Sequence, residues 1–202
     1  MKISLLNAGK RFNRDWIFRH INTVFEAAGS YAITGANGSG KSTLLQVIAG
    51  ATLHSEGKLL YQAADDTEVK ESYKHIALAA PYLELVEEFT ATELLQFHAG
   101  FKELAAGIPE ILSAVNLDKA AHKQIRYYSS GMKQRLKLAQ AFFSVSSVLL
   151  LDEPTTNLDS EGIALYQQLV EQYSGKRLVV VSSNVPAEYG FCKQVIKMEA
   201  YK

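Results

Sequence analysis

Residues 35–42 read Gly-Ala-Asn-Gly-Ser-Gly-Lys-Ser, which fits the pattern G-x-x-x-x-G-K-[ST]. Each residue type there has a physical task. Gly35, Gly38 and Gly40 allow backbone conformations that aim successive N–H groups inward, as a nest for phosphate oxygens. Asn37, Ser39 and Thr43 complete the set of residues that would line the anion. Lys41 would place an ammonium on the outer phosphates of a nucleotide, and the Ser42 hydroxyl can ligate Mg²⁺. A second candidate group stands at 148–154, where Val-Leu-Leu-Leu runs into Asp152, Glu153 and Pro154. Asp152 suits Mg²⁺, usually through water, because that ion keeps several of its own waters. Glu153, one residue on and differently directed, is placed to polarise an attacking water.

Such groups work only if secondary structure holds them together. The phosphate loop follows an apolar run, Tyr31–Thr34, and opens a helical stretch from Ser42 to Ala49, whose N-terminus adds its own affinity for anions. Compact apolar runs at 75–79, 148–151 and 178–181, with 194–198 after them, read as further strands. Continuous apolar strands suit a sheet covered on both faces, and ligands gather at the carboxyl ends of such strands, where Asp152 and Glu153 stand. Helical patterns at 91–101, 132–144 and 161–173 lie between them. The segments 2–12, 16–24 and 58–62 suggest an antiparallel flank. The reading is therefore an α/β fold: one domain over 1–202, with a core at 1–81 and 129–202 and a small helical lobe inserted at 82–128.

Composition narrows the function. Lysine and arginine number 21 and aspartate and glutamate number 21, which argues against binding nucleic acid through bulk positive charge. Cys192 is the only cysteine, so neither an internal disulfide nor a multi-cysteine metal site is available, and a reducing cytoplasm fits. No apolar run approaches the roughly 20 residues that span a bilayer. The N-terminus turns polar by Asn7, too early for the core of a signal peptide, and the few residues after Ile196 leave no expectation of a C-terminal regulatory domain.

The segment Tyr128-Ser-Ser-Gly-Met-Lys-Gln-Arg135 ends 17 residues before Asp152 and resembles the LSGGQ-x-QR signature of ATP-binding cassette (ABC) ATPases. Thr156-Asn-Leu-Asp159, just past Glu153, looks like the D-loop of that family, and the motifs follow the family's order over nearly the whole chain. The resemblance implies a P-loop NTPase core binding ATP and Mg²⁺. It also implies that Ser129 and Gly131 offer donors to the γ-phosphate of ATP held by a second cassette, with Asp159 at the same interface. Two cassettes, identical or paired, would then enclose two ATP molecules head to tail. Adenine is usually held in the family by an aromatic residue about 30 positions before the lysine. Phe12, 29 residues before Lys41, matches, with Trp16 and Tyr31 as lesser candidates.

Two family residues are missing. Ser183, in Ser182-Ser-Asn184, stands where the family has a histidine that steadies the attacking water, and Pro81 stands where it has a Mg²⁺-binding glutamine. Ser183 would need a bridging water to reach the same oxygen. The expected function is the ATPase subunit of an ABC transporter, cytoplasmic and peripheral on the inner face of the membrane through a separate integral membrane permease. The alternative is an ATP-dependent dimerising or regulatory module with little hydrolysis. In the region 83–101, apolar residues alternate with Glu84, Glu87, Glu88 and Glu93, an acidic rim suited to a basic cytoplasmic loop of that permease.

Overall fold

The structure, a computed structural model, describes all 202 residues. In chain order the first elements are β1 (Lys2–Phe12), β2 (Asp15–Phe25), β3 (Ser30–Thr34), α1 (Lys41–Ile48), β4 (Glu56–Gln62) and β5 (Ile76–Ala79). They are followed by α2 (Ala91–Ala99), α3 (Ile108–Ala114), α4 (Ser130–Phe143), β6 (Val148–Asp152), α5 (Ser160–Tyr173), β7 (Leu178–Ser182), α6 (Pro186–Tyr189) and β8 (Gln194–Lys197). The chain divides into two compact units. The first comprises Met1–Leu78, Ser146–Asp152 and Lys176–Lys202, and the second comprises Ala79–Val145 and Glu153–Gly175.

The first unit holds both sheets. One is five-stranded and parallel, in the order β5-β6-β7-β3-β8, and the other is antiparallel, in the order β2-β1-β4. Every residue of β6 and of β7 is buried, as their unbroken apolar sequences require of strands covered on both faces. Register then sets the functional geometry. Asp152 lies opposite Ser182, and Ser182 lies opposite Ile33, so the ends of β6, β7 and β3 are level. With strands about 4.8 Å apart, the end of β6 stands two spacings, roughly 10 Å, from the strand that feeds the phosphate loop. Thr34 pairs with Lys197, so residues 198 and 199 must run beside residues 35 and 36.

The second unit is helical, and its helices begin at explicit caps. Thr90 and Glu93 form a reciprocal capping box on α2, Ser129 caps α4 through the Met132 N–H (3.2 Å), and Asp159 caps α5 through the Gly162 N–H (2.8 Å). Helix α4 packs on α2, α3 and α5. The helical unit thus takes in α4 and α5 as well as the segment 82–128, because the apolar faces of those two helices bury each other.

Candidate functional site

The phosphate loop is shaped by glycines in conformations that other residues seldom adopt. Gly38 has φ 76° and Gly40 has φ 99°, both left-handed. A Cβ on Gly40 would also come within 2.5 Å of Ile17 Cγ2, so that position excludes a side chain on two counts. Gly40 caps α1 without a side-chain acceptor, and no acidic residue occupies the first turn of that helix. The N–H groups of Lys41, Ser42 and Thr43 therefore have no intrahelical partner, and the positive end of the helix dipole is left uncompensated. This is an anion site built from backbone. Lys41 is buried and folded over the loop, its Nζ donating to Gly35 O (2.8 Å) and Ala36 O (3.4 Å). Two side chains from elsewhere grip the turn that opens the loop. The Gly35 N–H donates to Asn184 Oδ1 (3.1 Å) and the Ala36 N–H to Glu199 Oε1 (3.2 Å). Neither grip is visible in the sequence, since the partners are 149 and 163 residues apart.

Asp152 is 1% exposed, and its Oδ1 has no hydrogen-bond partner. Burial pushes its carboxyl above the ordinary carboxylate range. The hydroxyls of Ser182 and Ser42 and the charge of Lys41 pull it back, and the charge of Glu188 pushes it further up. Ser182 Oγ and Ser39 Oγ are likewise buried without partners. An orphaned carboxylate oxygen beside the Ser42 hydroxyl is a costly arrangement for a bare protein. It is the donor set that a hard cation such as Mg²⁺ prefers, so the residues present fit that ion.

In the second unit, Glu153 has φ 41° and Asn157 φ 65°, so the chain from 153 to 159 is a series of tight turns. A left-handed glutamate is strained, and such strain persists where surrounding structure over-determines it. Here Gln134 of α4, itself buried, donates from Nε2 to Pro154 O (2.8 Å). The Asn157 carbonyl lies so close to Gly131 that a Cβ there would be 3.1 Å away. The segment holding Glu153 and Asp159 is thus locked to the helix that Ser129 and Gly131 open. This Gln134 contact is one that periodicity alone does not single out.

The family model described as ABC transporter matches residues 18–156. The chain belongs to the ABC transporter family. An uncharacterised ABC transporter ATP-binding protein from Bacillus subtilis (strain 168) is 28% identical over 200 residues, covering 97% of this chain and 92% of that protein. Among solved structures, a putative ABC transporter ATP-binding protein from Pyrococcus furiosus superposes with a TM-score of 0.83 at 18% identity, covering 100% of both chains. A dimeric ATP-binding cassette in a post-hydrolysis state bound to ADP and Pi superposes with a TM-score of 0.81 at 23% identity, covering 96% of this chain and 93% of that one. The fold of this cassette is therefore that of ABC ATPases, with the parallel and antiparallel sheets expected. No helix is long and apolar enough to cross a membrane.

The remaining sequence candidates of the cassette fall into place unevenly. Phe12, at the end of β1, is 49% exposed, with Lys10 Nζ 4.6 Å from its ring centre. Trp16 carries the Arg19 guanidinium on its ring at 4.1 Å, and Tyr31 is buried in the core with its hydroxyl accepting the Glu26 N–H (2.9 Å). Of the three aromatics, Phe12 is the most exposed. Ser183 is fully buried, and its hydroxyl accepts the Val185 N–H (2.8 Å), a local turn bond. The residue of that run which reaches the phosphate loop is Asn184. Pro81 contributes only its carbonyl, which accepts from Lys137 Nζ (2.7 Å). Three of the four carboxylates expected as an acidic rim around α2 have partners within the same unit. Glu87 pairs with Lys133, Glu88 lies 3.8 Å from Arg126, and Glu93 closes the capping box.

Proposed function

We propose that this cassette binds MgATP and hydrolyses it slowly, at the interface of a head-to-tail pair of cassettes, to drive a separate integral membrane permease from the cytoplasmic face. The observation that carries this reading is the orphaned, buried Asp152 oxygen beside Lys41 and Ser42. It leaves the bare protein with an unsatisfied charge at the place where Mg²⁺ and the outer phosphates would bring the missing partners.

In this reading the N–H groups of Gly38 and of residues 40–43 cradle the phosphates, with Asn37 and Ser39 completing the loop. Lys41 leaves the Gly35 and Ala36 carbonyls to meet the β- and γ-phosphates. Ser42 and Asp152 would hold Mg²⁺, which when bound neutralises phosphate charge and orients the terminal phosphate. Phe12 offers a ring for adenine. Glu153 accepts a proton from the water whose oxygen attacks the γ-phosphorus; the bond to the β–γ bridging oxygen breaks, and ADP and Pi leave. Ser129, Gly131 and Asp159 act on ATP held by the opposite cassette, and Ser183 acts on the γ-phosphate only through a bridging water. The dimeric arrangement of a structural neighbour supports the pairing.

A second reading, a dimerising ATP-responsive module with little turnover, is favoured by two observations. The Ser183 hydroxyl is turned inward to Val185, and Pro81 has no side-chain ligand to offer. Turnover of MgATP, measured against protein concentration with Lys41→Ala as the blank, separates the two. A rate per molecule that climbs with concentration and vanishes in the variant supports the motor. ATP binding without turnover above the blank supports the module.

A further inference from the structure

Two charges converge on the opening turn of the phosphate loop, and only one of them belongs to the loop itself. Lys41 Nζ rests on the Gly35 and Ala36 carbonyls, while Glu199 takes the N–H of the same Ala36 at 3.2 Å. The parallel register brings Glu199 there, because pairing of Thr34 with Lys197 sets the short 3₁₀ turn Met198–Tyr201 against the residues after β3. Met198 anchors that turn. It is fully buried, and a Cβ on Gly35 would lie 3.1 Å both from Met198 Cβ and from Glu199 Oε1. Glu199 itself is exposed. Its own N–H and that of Ala36 hold its carboxyl below the ordinary range, assisted by the charges of Lys197 and Lys41. It is therefore ionised at neutral pH, next to a loop built to attract anions.

We infer that Glu199 is a resident counter-charge of the phosphate loop: it positions the Gly35–Ala36 turn through the Ala36 N–H, and its carboxylate weakens binding of nucleotide, more for ATP than for ADP. The inference rests on the reading that this loop binds ATP. Glu199 favours the position of Lys41 over the loop's own carbonyls, and an incoming γ-phosphate must draw Lys41 away while approaching a like charge. A carboxylate that only braced the loop would have no reason to distinguish ligands by charge.

The test compares MgATP and MgADP affinities of the wild type, Glu199→Gln, Glu199→Asp and Lys41→Ala by calorimetry at about 20 mM and about 300 mM salt, concentrations at which screening lengths differ several-fold. Glutamine keeps an oxygen for the Ala36 N–H and loses the charge. It should tighten ATP roughly three-fold at low salt, tighten ADP less, and lose most of the gain at high salt. Aspartate keeps the charge and should retain the wild-type preference between the two nucleotides. Unchanged or weaker ATP binding in Glu199→Gln, or an equal gain for both nucleotides at both salt levels, overturns the inference. Wild-type binding that Lys41→Ala abolishes, together with an inert Glu199→Gln, sinks this inference alone. Absence of ATP binding in the wild type sinks the ATP reading and this inference with it.

Discussion

Replacing Asp152 by asparagine removes a buried charge and keeps the shape. Asp152 Oδ1 has no partner, and a buried unsatisfied polar group costs about 1–3 kcal/mol, more when charged. Against this stands the lost attraction to Lys41 and to the nearby Ser182 and Ser42 hydroxyls. The asparagine amide can in turn donate to Ser182 Oγ, which is itself buried without a partner. The net change should be a stabilisation of the bare protein by about 1 kcal/mol, a rise in Tm of about 2–4 °C for a domain of this size. Ligand reverses the order. Nucleotide at a hundred times its dissociation constant adds about 2.7 kcal/mol to a protein that binds it, and Asp152→Asn should gain far less because its Mg²⁺ ligand is gone. Thermal unfolding with and without MgATP would therefore show two curves that exchange places: the variant higher when bare, the wild type higher when loaded. A variant no more stable than the wild type without nucleotide would refute the argument that Asp152 is held at a cost for a cation.

Three further outcomes follow from the geometry. Glu153→Gln should lower steady-state turnover by about 10²–10⁴-fold and leave MgATP binding intact; unchanged turnover would remove Glu153 from the role of base. Phe12→Ala should weaken ATP binding by about 1–3 kcal/mol, the range for lost stacking, with little change in Tm because the ring is half exposed. A large fall in Tm instead would mark Phe12 as a packing residue. His98 is held below its ordinary value by burial and by the charge of Lys102, with Nε2 2.8 Å from Ser144 Oγ. The folded state then binds fewer protons than the unfolded one, so the stability contributed is full above the unfolded value of about 6.5 and is lost as pH falls through it. Urea unfolding at about pH 7.5 and about pH 5 should show a smaller acid loss for His98→Gln than for the wild type; equal losses would exclude His98 as a cause.

What the sequence reveals and what it hides divide along a physical line. The phosphate loop, the strand ending in Asp152 and the capped start of α4 are local: spacing, glycine placement and apolar runs state them directly. The level ends of β3, β6 and β7 already need more than this, since they follow from the order and register of the parallel strands. The grips of Asn184 on Gly35 and Glu199 on Ala36 depend likewise on strand order and register across most of the chain. No local pattern carries them. The inward turn of Ser183 is similarly hidden, because a serine's short hydroxyl bonds equally well to its own loop. The pairing of the acidic residues near α2 is hidden for a related reason. Their charges are plain in the sequence, but their partners Lys133 and Arg126 come from around the later helix α4.

That internal pairing has a kinetic consequence. The face around α2 exposes Phe97 and Phe101, stacked edge to face with centroids 5.1 Å apart, while Glu87 and Glu88 of the same unit pair with Lys133 and Arg126. A partner seated there would arrive with less electrostatic guidance than unpaired carboxylates give, closer to the about 10⁵–10⁶ M⁻¹s⁻¹ of an unsteered encounter, and its arrival would respond less to salt. The strength of such a complex lies in how slowly it comes apart.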